Sequence, residues 1–273
     1  MAGEEMYEPT AEGLIQLLKR LRAPDGCPWD RAQTRETLGR SLAGETAELL
    51  DAIDRGSAPE ICDELGDVLM NALFQIVLAE EKGEFTAEDV FRGVISKMIR
   101  RHAHIFGDEK AETPEEVTAI WRKVKAAEQA DSAVPESILD QVPHSLSALD
   151  RAEKLQKKVA KVGFDWSDEA GILAKIEEEL GELREAMASG RGEEIDAELG
   201  DLLFAASNLA RFRHGRTSEE LLRQTNRRFE SRFRFIEREL AKEKIPLESA
   251  GIERMEALWR DAKRREKEEC SEQ

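Results

Sequence analysis

The sequence predicts an all-α protein built as two tandem copies of one helical unit. Three observations carry that reading. Apolar residues recur at helical spacing through both halves, the breaks between these stretches have turn composition, and one pattern of acids occurs twice in the same register. No stretch shows the strict apolar–polar alternation of a half-buried strand.

Taken in order, Leu42, Leu49 and Ile53 share one helical face, and Ile61, Leu65, Val68, Leu69 and Ala72 share the next. Arg55-Gly56-Ser57-Ala58-Pro59 separates them, a turn suited to antiparallel helices. In the second half the same roles fall to Ile176, Leu180, Leu183 and Met187, then Ile195, Leu199, Leu202 and Ala206, divided by Ser189-Gly190-Arg191-Gly192. A basic helix follows each pair: Lys97 and Arg101 are four apart, as are Arg228 and Arg232. Each copy then reaches a tryptophan, in Ile120-Trp121-Arg122 and Leu258-Trp259-Arg260. The expected organisation is a first repeat over 1–128, a linker over 129–147 carrying Pro135 and Pro143, and a second repeat over 148–273. The charged stretch from Lys263 onward is expected to fray.

The acids are the informative part. Glu45, Glu48, Glu64 and Asp67 are matched by Glu179, Glu182, Glu198 and Asp201, every pair 134 residues apart. Residues i and i+3 share a helix face, so two neighbouring helices can aim four carboxylates at one point. Clustered carboxylates beside an apolar stripe repel one another and call for a cation. Oxygen-only donors suit Mg²⁺, with Mn²⁺ as an alternative, and such sites keep positions for water and substrate phosphates. Solvated helix edges closed by salt bridges are the plain alternative for any one Glu-x-x-Glu; the repetition argues against it. A di-iron bundle needs Glu-x-x-His, and none of His102, His104, His144 or His214 has a glutamate three residues before it. His102 and His104 read as surface or packing residues on different helix faces.

Lys175 lies one turn before Glu179, and Arg228 and Arg232 lie one turn apart, so all three can meet a polyphosphate. Salt bridges to the abundant glutamates are the competing use for these cations. Trp259 can stack on a base or anchor a core. Neither a P-loop nor a G-x-G-x-x-G helix opening is present. Phosphate recognition would have to come from metal and helix side chains.

Composition sets outer limits. The 273 residues are 40% hydrophobic and 36% charged, with a net charge of −17, which repels nucleic acid and anionic membranes. Cys27, Cys62 and Cys270 have no paired or metal-type spacing. The acidic N-terminus lacks a signal-peptide core, and no apolar run approaches the ~20 residues of a membrane span. A soluble cytoplasmic protein with reduced thiols is the expectation.

These residues resemble a known family. Cys27-Pro28-Trp29-Asp30, the Glu-x-x-Glu then Glu-Leu-Gly-Asp repeat, and Val162-Gly163-Phe164-Asp165-Trp166 are similar to MazG nucleoside triphosphate pyrophosphohydrolases over nearly the whole chain. The resemblance implies an all-α NTP pyrophosphatase fold, a homodimer, and Mg²⁺-dependent hydrolysis of NTPs to NMP and pyrophosphate. As a mechanism we expect metal ligation by Glu179, Glu182, Glu198 and Asp201, with Glu178 beside them to orient or deprotonate water or as a further ligand. Lys175, Arg228 and Arg232 would hold phosphates, and Trp259 the nucleoside. The second repeat has the family's full Glu-Glu-x-x-Glu; the first has Gly44 in place of Glu178 and Ser41 in place of Lys175. The second repeat is therefore expected to be the active one. The corresponding residues Glu45, Glu48, Glu64, Asp67, Lys97, Arg101 and Trp121 are expected to be weak, differently selective or structural. The family commonly has Lys where this chain has Arg228. A narrow-substrate enzyme (dUTP or phosphoribosyl nucleotides) and a non-catalytic metal-binding regulator are the alternatives.

Overall fold

The computed structural model describes residues 6–130, 137–213 and 215–271; Pro135 and His214 lie outside them, as does the side chain of Cys270. The described residues form helices and turns, without a strand. The chain divides into two compact units, 1–133 and 134–273.

The first unit contains α1 (Ala11–Arg22), α2 (Pro28–Arg31), α3 (Arg35–Arg55), α4 (Ala58–Glu81), α5 (Ala87–Arg101), α6 (Ala103–Phe106) and α7 (Pro114–Ala130). Helix α3 begins at a capping box between Thr34 and Thr37. It stops at Gly56, whose left-handed backbone (φ 70°) turns the chain directly into α4. Ile15 and Leu18 of α1, Leu38 of α3, and Leu73, Phe74 and Val77 of α4 form the core.

The second unit contains α8 (Ala148–Ala160), α9 (Glu169–Ser189), α10 (Gly192–Phe212), α11 (Ser218–Glu243) and α12 (Ile252–Ser271). Asp168 caps α9 by accepting from Gly171 N at 3.0 Å, and Gly190 (φ 71°) closes it as Gly56 closes α3. Phe235, Ile236 and Leu240 of α11 pack against Leu258 and Ala262 of α12. Helix α12 continues to Ser271 through the stretch expected to fray. Within the expected linker, Val142 is buried and Leu139 lines a cavity of this unit, so part of that segment is packed structure.

The apolar stripes depart from expectation in burial. Ile53, Leu65 and Leu69 are about half exposed, as are Leu199 and Met187. The reason is that α3 packs chiefly on α4, and α9 on α10, leaving the outer apolar side of each acid hairpin uncovered within its unit.

Candidate metal and nucleotide site

In the second unit, ligand oxygens of Glu179, Glu182 and Glu198 lie within 4.8 Å of one another. Helix α9 supplies the first two from adjoining positions on one face, and α10 supplies the third across the hairpin. Glu179 is only 6% exposed. Lys175 is paired with it: the lysine Nζ lies 2.8 Å from Glu179 Oε1 and 2.7 Å from Glu178 Oε1. Glu178 first, and then Glu179, holds the lysine protonated well above its ordinary range. Dehydration raises the Glu182 carboxyl above the usual carboxylate range, and the charges of Glu179 and Glu198 add to it.

Asp201 stands apart from the three converging glutamates, although it lines the same cavity as Glu179. The donor set fits a hard divalent cation.

The first unit builds the same cluster without the lysine. Oxygens of Glu45, Glu48 and Glu64 lie within 4.8 Å of one another. Glu45 is raised by dehydration, then by Asp67 and Glu48; Glu64 by dehydration, then by Glu48, Asp63 and Asp67. Ser41 and Gly44 stand where Lys175 and Glu178 stand in the second unit.

The predicted phosphate-binding cations are already engaged. Arg232 makes a two-point pair with Glu266 (Nε–Oε2 3.0 Å, Nη2–Oε2 2.7 Å), and its guanidinium lies 5.4 Å from the Trp259 ring centroid. Arg228 donates to Thr225 Oγ1 at 2.9 Å. Trp259 packs on Phe229 at 5.2 Å and against the α11–α12 core, so it serves as a packing anchor as well as a candidate nucleoside contact. In the first unit Lys97 is exposed, and Arg101 pairs with Glu128 (Nη2–Oε2 2.6 Å). Trp121 meets His102 edge-on at 5.3 Å. His102 and His104 do not sit on separate faces of one helix. The chain breaks helical geometry at His102 (ψ 48°), which brings their rings to 5.6 Å.

A cavity of about 630 Å³ opens beside Lys175, Glu179 and Asp201, within the ~300–1,000 Å³ typical of ligand pockets. Phe164, Trp166 and Phe204 are among its walls. Buried Arg211 braces it, donating to Asp165 Oδ2 at 3.1 Å and to Asn208 Oδ1 at 2.8 Å. Gly171 lets Trp166 lie against the first turn of α9; a Cβ there would meet Trp166 Cε3 at 2.7 Å.

Two segments of the chain, 33–106 and 168–234, match the MazG nucleotide pyrophosphohydrolase domain, and together they make up more than half of it. The chain belongs to the MazG family. A nucleoside triphosphate pyrophosphohydrolase of Escherichia coli is 40% identical over 258 residues, spanning 93% of this chain and 97% of that protein. The nucleoside triphosphate pyrophosphohydrolase/pyrophosphatase MazG of Thermotoga maritima is 40% identical over 252 residues, 92% and 95% of the two chains. YabN of Bacillus subtilis is 42% identical over 252 residues, covering 92% of this chain and 51% of its own. Both matched segments include an acid hairpin and the following basic helix.

Sequence reading missed the partners of the arginines. Their signal is present all the same: Glu128 and Glu266 are 138 residues apart, the same step that separates Trp121 from Trp259. It also missed Arg211 and Asn208, which lie at the end of α10, beyond the acid motif, with no repeated pattern to mark them.

Proposed function

We propose that the chain hydrolyses nucleoside triphosphates to the monophosphate and pyrophosphate, and that the second repeat is the catalytic one. The observation that carries this is the convergence of Glu179, Glu182 and Glu198 beside the Lys175–Glu178 pair, on a chain whose near-full-length relatives are named for that reaction. In this reading Glu179, Glu182, Glu198 and Asp201 hold Mg²⁺, or Mn²⁺ in its place. A bound divalent ion would neutralise charge on the phosphates.

Glu178 is exposed and already accepts from Lys175. In this reading Lys175 hands its donors to a phosphate oxygen, which releases Glu178 to accept a proton from water, or orient it, at the α-phosphorus. Arg228 and Arg232 bind the outgoing phosphates, and Trp259 contacts the nucleoside. A second placement has its own support: the cavity walled by Phe164 and Trp166 adjoins the acids and is roomy enough for a nucleoside.

The proposed organisation is a first repeat over 1–128, a linker over 129–147 and a catalytic repeat over 148–273. A homodimer is part of the same reading, supported by the uncovered apolar side chains Ile53, Leu65, Leu69 and Leu199. A cytoplasmic setting follows from the family's substrate; among the described residues no helix is long and apolar enough to cross a membrane.

Glu178→Gln tests the mechanism. A fall in kcat of about 10²-fold, with KM little changed, is expected for loss of a general base. Unchanged kcat would remove Glu178 from the chemistry.

A further inference from the structure

We infer that Glu266 is a positioning residue for Arg232, presenting the outer edge of its guanidinium to the substrate's phosphates. The inference rests on the reading of Arg232 as a phosphate ligand.

An arginine offers two forked edges, one along Nε and Nη2 and one across Nη1 and Nη2. Glu266 takes the first: its carboxylate meets Nε at 3.2 and 3.0 Å and Nη2 at 2.7 Å. The Trp259 ring lies 5.4 Å from the guanidinium carbon and restrains the plane of the group. With one edge and one face engaged, the Nη1–Nη2 edge remains for an incoming anion. Arg232 is 19% exposed, so the group is largely dehydrated but still reachable.

The first unit repeats the edge contact, although Glu128 there also accepts from Arg100 Nε at 2.7 Å and Trp121 meets His102. Arg101 meets Glu128 through the same atoms, Nε at 3.2 Å and Nη2 at 2.6 Å. Both pairs link a basic helix to the tryptophan-bearing helix that follows, and the two glutamates keep the register of the two tryptophans. A chance surface contact has no reason to choose the same edge twice. The pair is part-buried, so the thermal midpoint of each variant is needed to separate a structural role from a positioning one. A long side chain held in its binding geometry avoids an ordering cost when the ligand arrives.

The test is steady-state kinetics on the full chain with Mg²⁺ and one hydrolysed NTP, together with calorimetric titration of inorganic pyrophosphate. The proteins are wild type, Glu266→Gln, Arg232→Ala and the double variant, each with its thermal midpoint. Positioning predicts that Glu266→Gln raises KM and weakens pyrophosphate binding about three- to tenfold, the factor for one immobilised long side chain, with kcat within about twofold. It also predicts no further loss when Glu266→Gln is added to Arg232→Ala. A lowered midpoint with unchanged KM would make the pair merely structural and overturn the inference, as would an equal loss in both backgrounds. Unchanged KM and pyrophosphate binding in Arg232→Ala would instead overturn the phosphate-binding reading beneath it. A Glu266→Asp variant guards against misfolding: it keeps the charge and should recover part of the lost affinity.

Discussion

The two acid hairpins have nearly the same carboxylates and different electrostatic neighbourhoods. Around Glu179 a lysine lies within 2.8 Å, and the glutamate is buried. At Glu45, Ser41 stands in the lysine's place, and dehydration, then the charges of Asp67 and Glu48, raise the carboxyl. Dehydration and mutual repulsion act in both clusters, raising Glu182 in one and Glu45 and Glu64 in the other, and the second unit's cluster has Lys175 beside it. Duplication has kept the ligand geometry in both units, and the Lys175–Glu178 pair separates them. In the proposed reading, metal-capable geometry and catalytic competence are different properties, carried by different residues.

The anchoring of the basic helices differs as well. In the second unit buried Glu153 reaches from α8 to the start of α11 and accepts from Ser218 N and from Ser218 Oγ at 2.6 Å. In the first, Glu80 of α4 accepts from Ala87 N at 3.0 Å and pairs with Lys19, more openly. Glu153→Gln should cost about 1–3 kcal/mol, and Glu80→Gln less; chemical denaturation of each variant checks the order. Although burial pushes the Glu153 carboxyl up, the Ser218 and Lys157 contacts win and hold it below its usual range. Its contribution is thus complete above the unfolded carboxylate range and is lost as pH falls through the lowered value. Equal costs for the two variants would erase this difference between the units.

A smaller effect is expected at Gly171, whose counterpart in the first unit is Thr37 of a capping box. Gly171→Ala drives a methyl into the Trp166 ring and should change KM severalfold if the nucleoside occupies the adjacent cavity. Trp259→Ala should do so instead if the nucleoside lies on α12. Measuring KM for both variants separates the two placements.

The smallest effect concerns pH. Glu182 is raised, so the folded, metal-free protein keeps this proton at pH values where the unfolded chain has lost it. The stability associated with Glu182 is present below the unfolded carboxylate range and disappears as pH rises through the raised value. In EDTA, Glu182→Gln should therefore gain thermal midpoint relative to wild type as pH increases. Saturating Mg²⁺ should reverse that ranking. A difference independent of pH and of metal would contradict the repulsion seen among these acids.

Much of this was legible in the sequence, for stated physical reasons. Helical periodicity and the left-handed glycines at 56 and 190 mark the hairpins, because a tight helix reversal requires that backbone. The acids declare themselves through i, i+3 spacing and a constant offset. Exposure of Leu65, Leu69 and Leu199 was not legible, since periodicity says which residues share a face and not what covers it. The Glu266–Arg232 and Arg211–Asp165 pairs were equally hidden, because each joins residues that are adjacent only after folding. The approach of His102 to His104 depended on a local break that neither residue type announces.

The most direct test of the central claim is product analysis with Mg²⁺ and the common and deoxy NTPs, comparing wild type, Glu179→Ala and Glu45→Ala. The account predicts monophosphate and pyrophosphate from wild type, the same products at a reduced or unchanged rate from Glu45→Ala, and no turnover from Glu179→Ala with helix content intact. Full activity in Glu179→Ala, or complete loss in Glu45→Ala, would contradict the assignment of catalysis to the second repeat. Release of diphosphate and orthophosphate would contradict attack at the α-phosphorus.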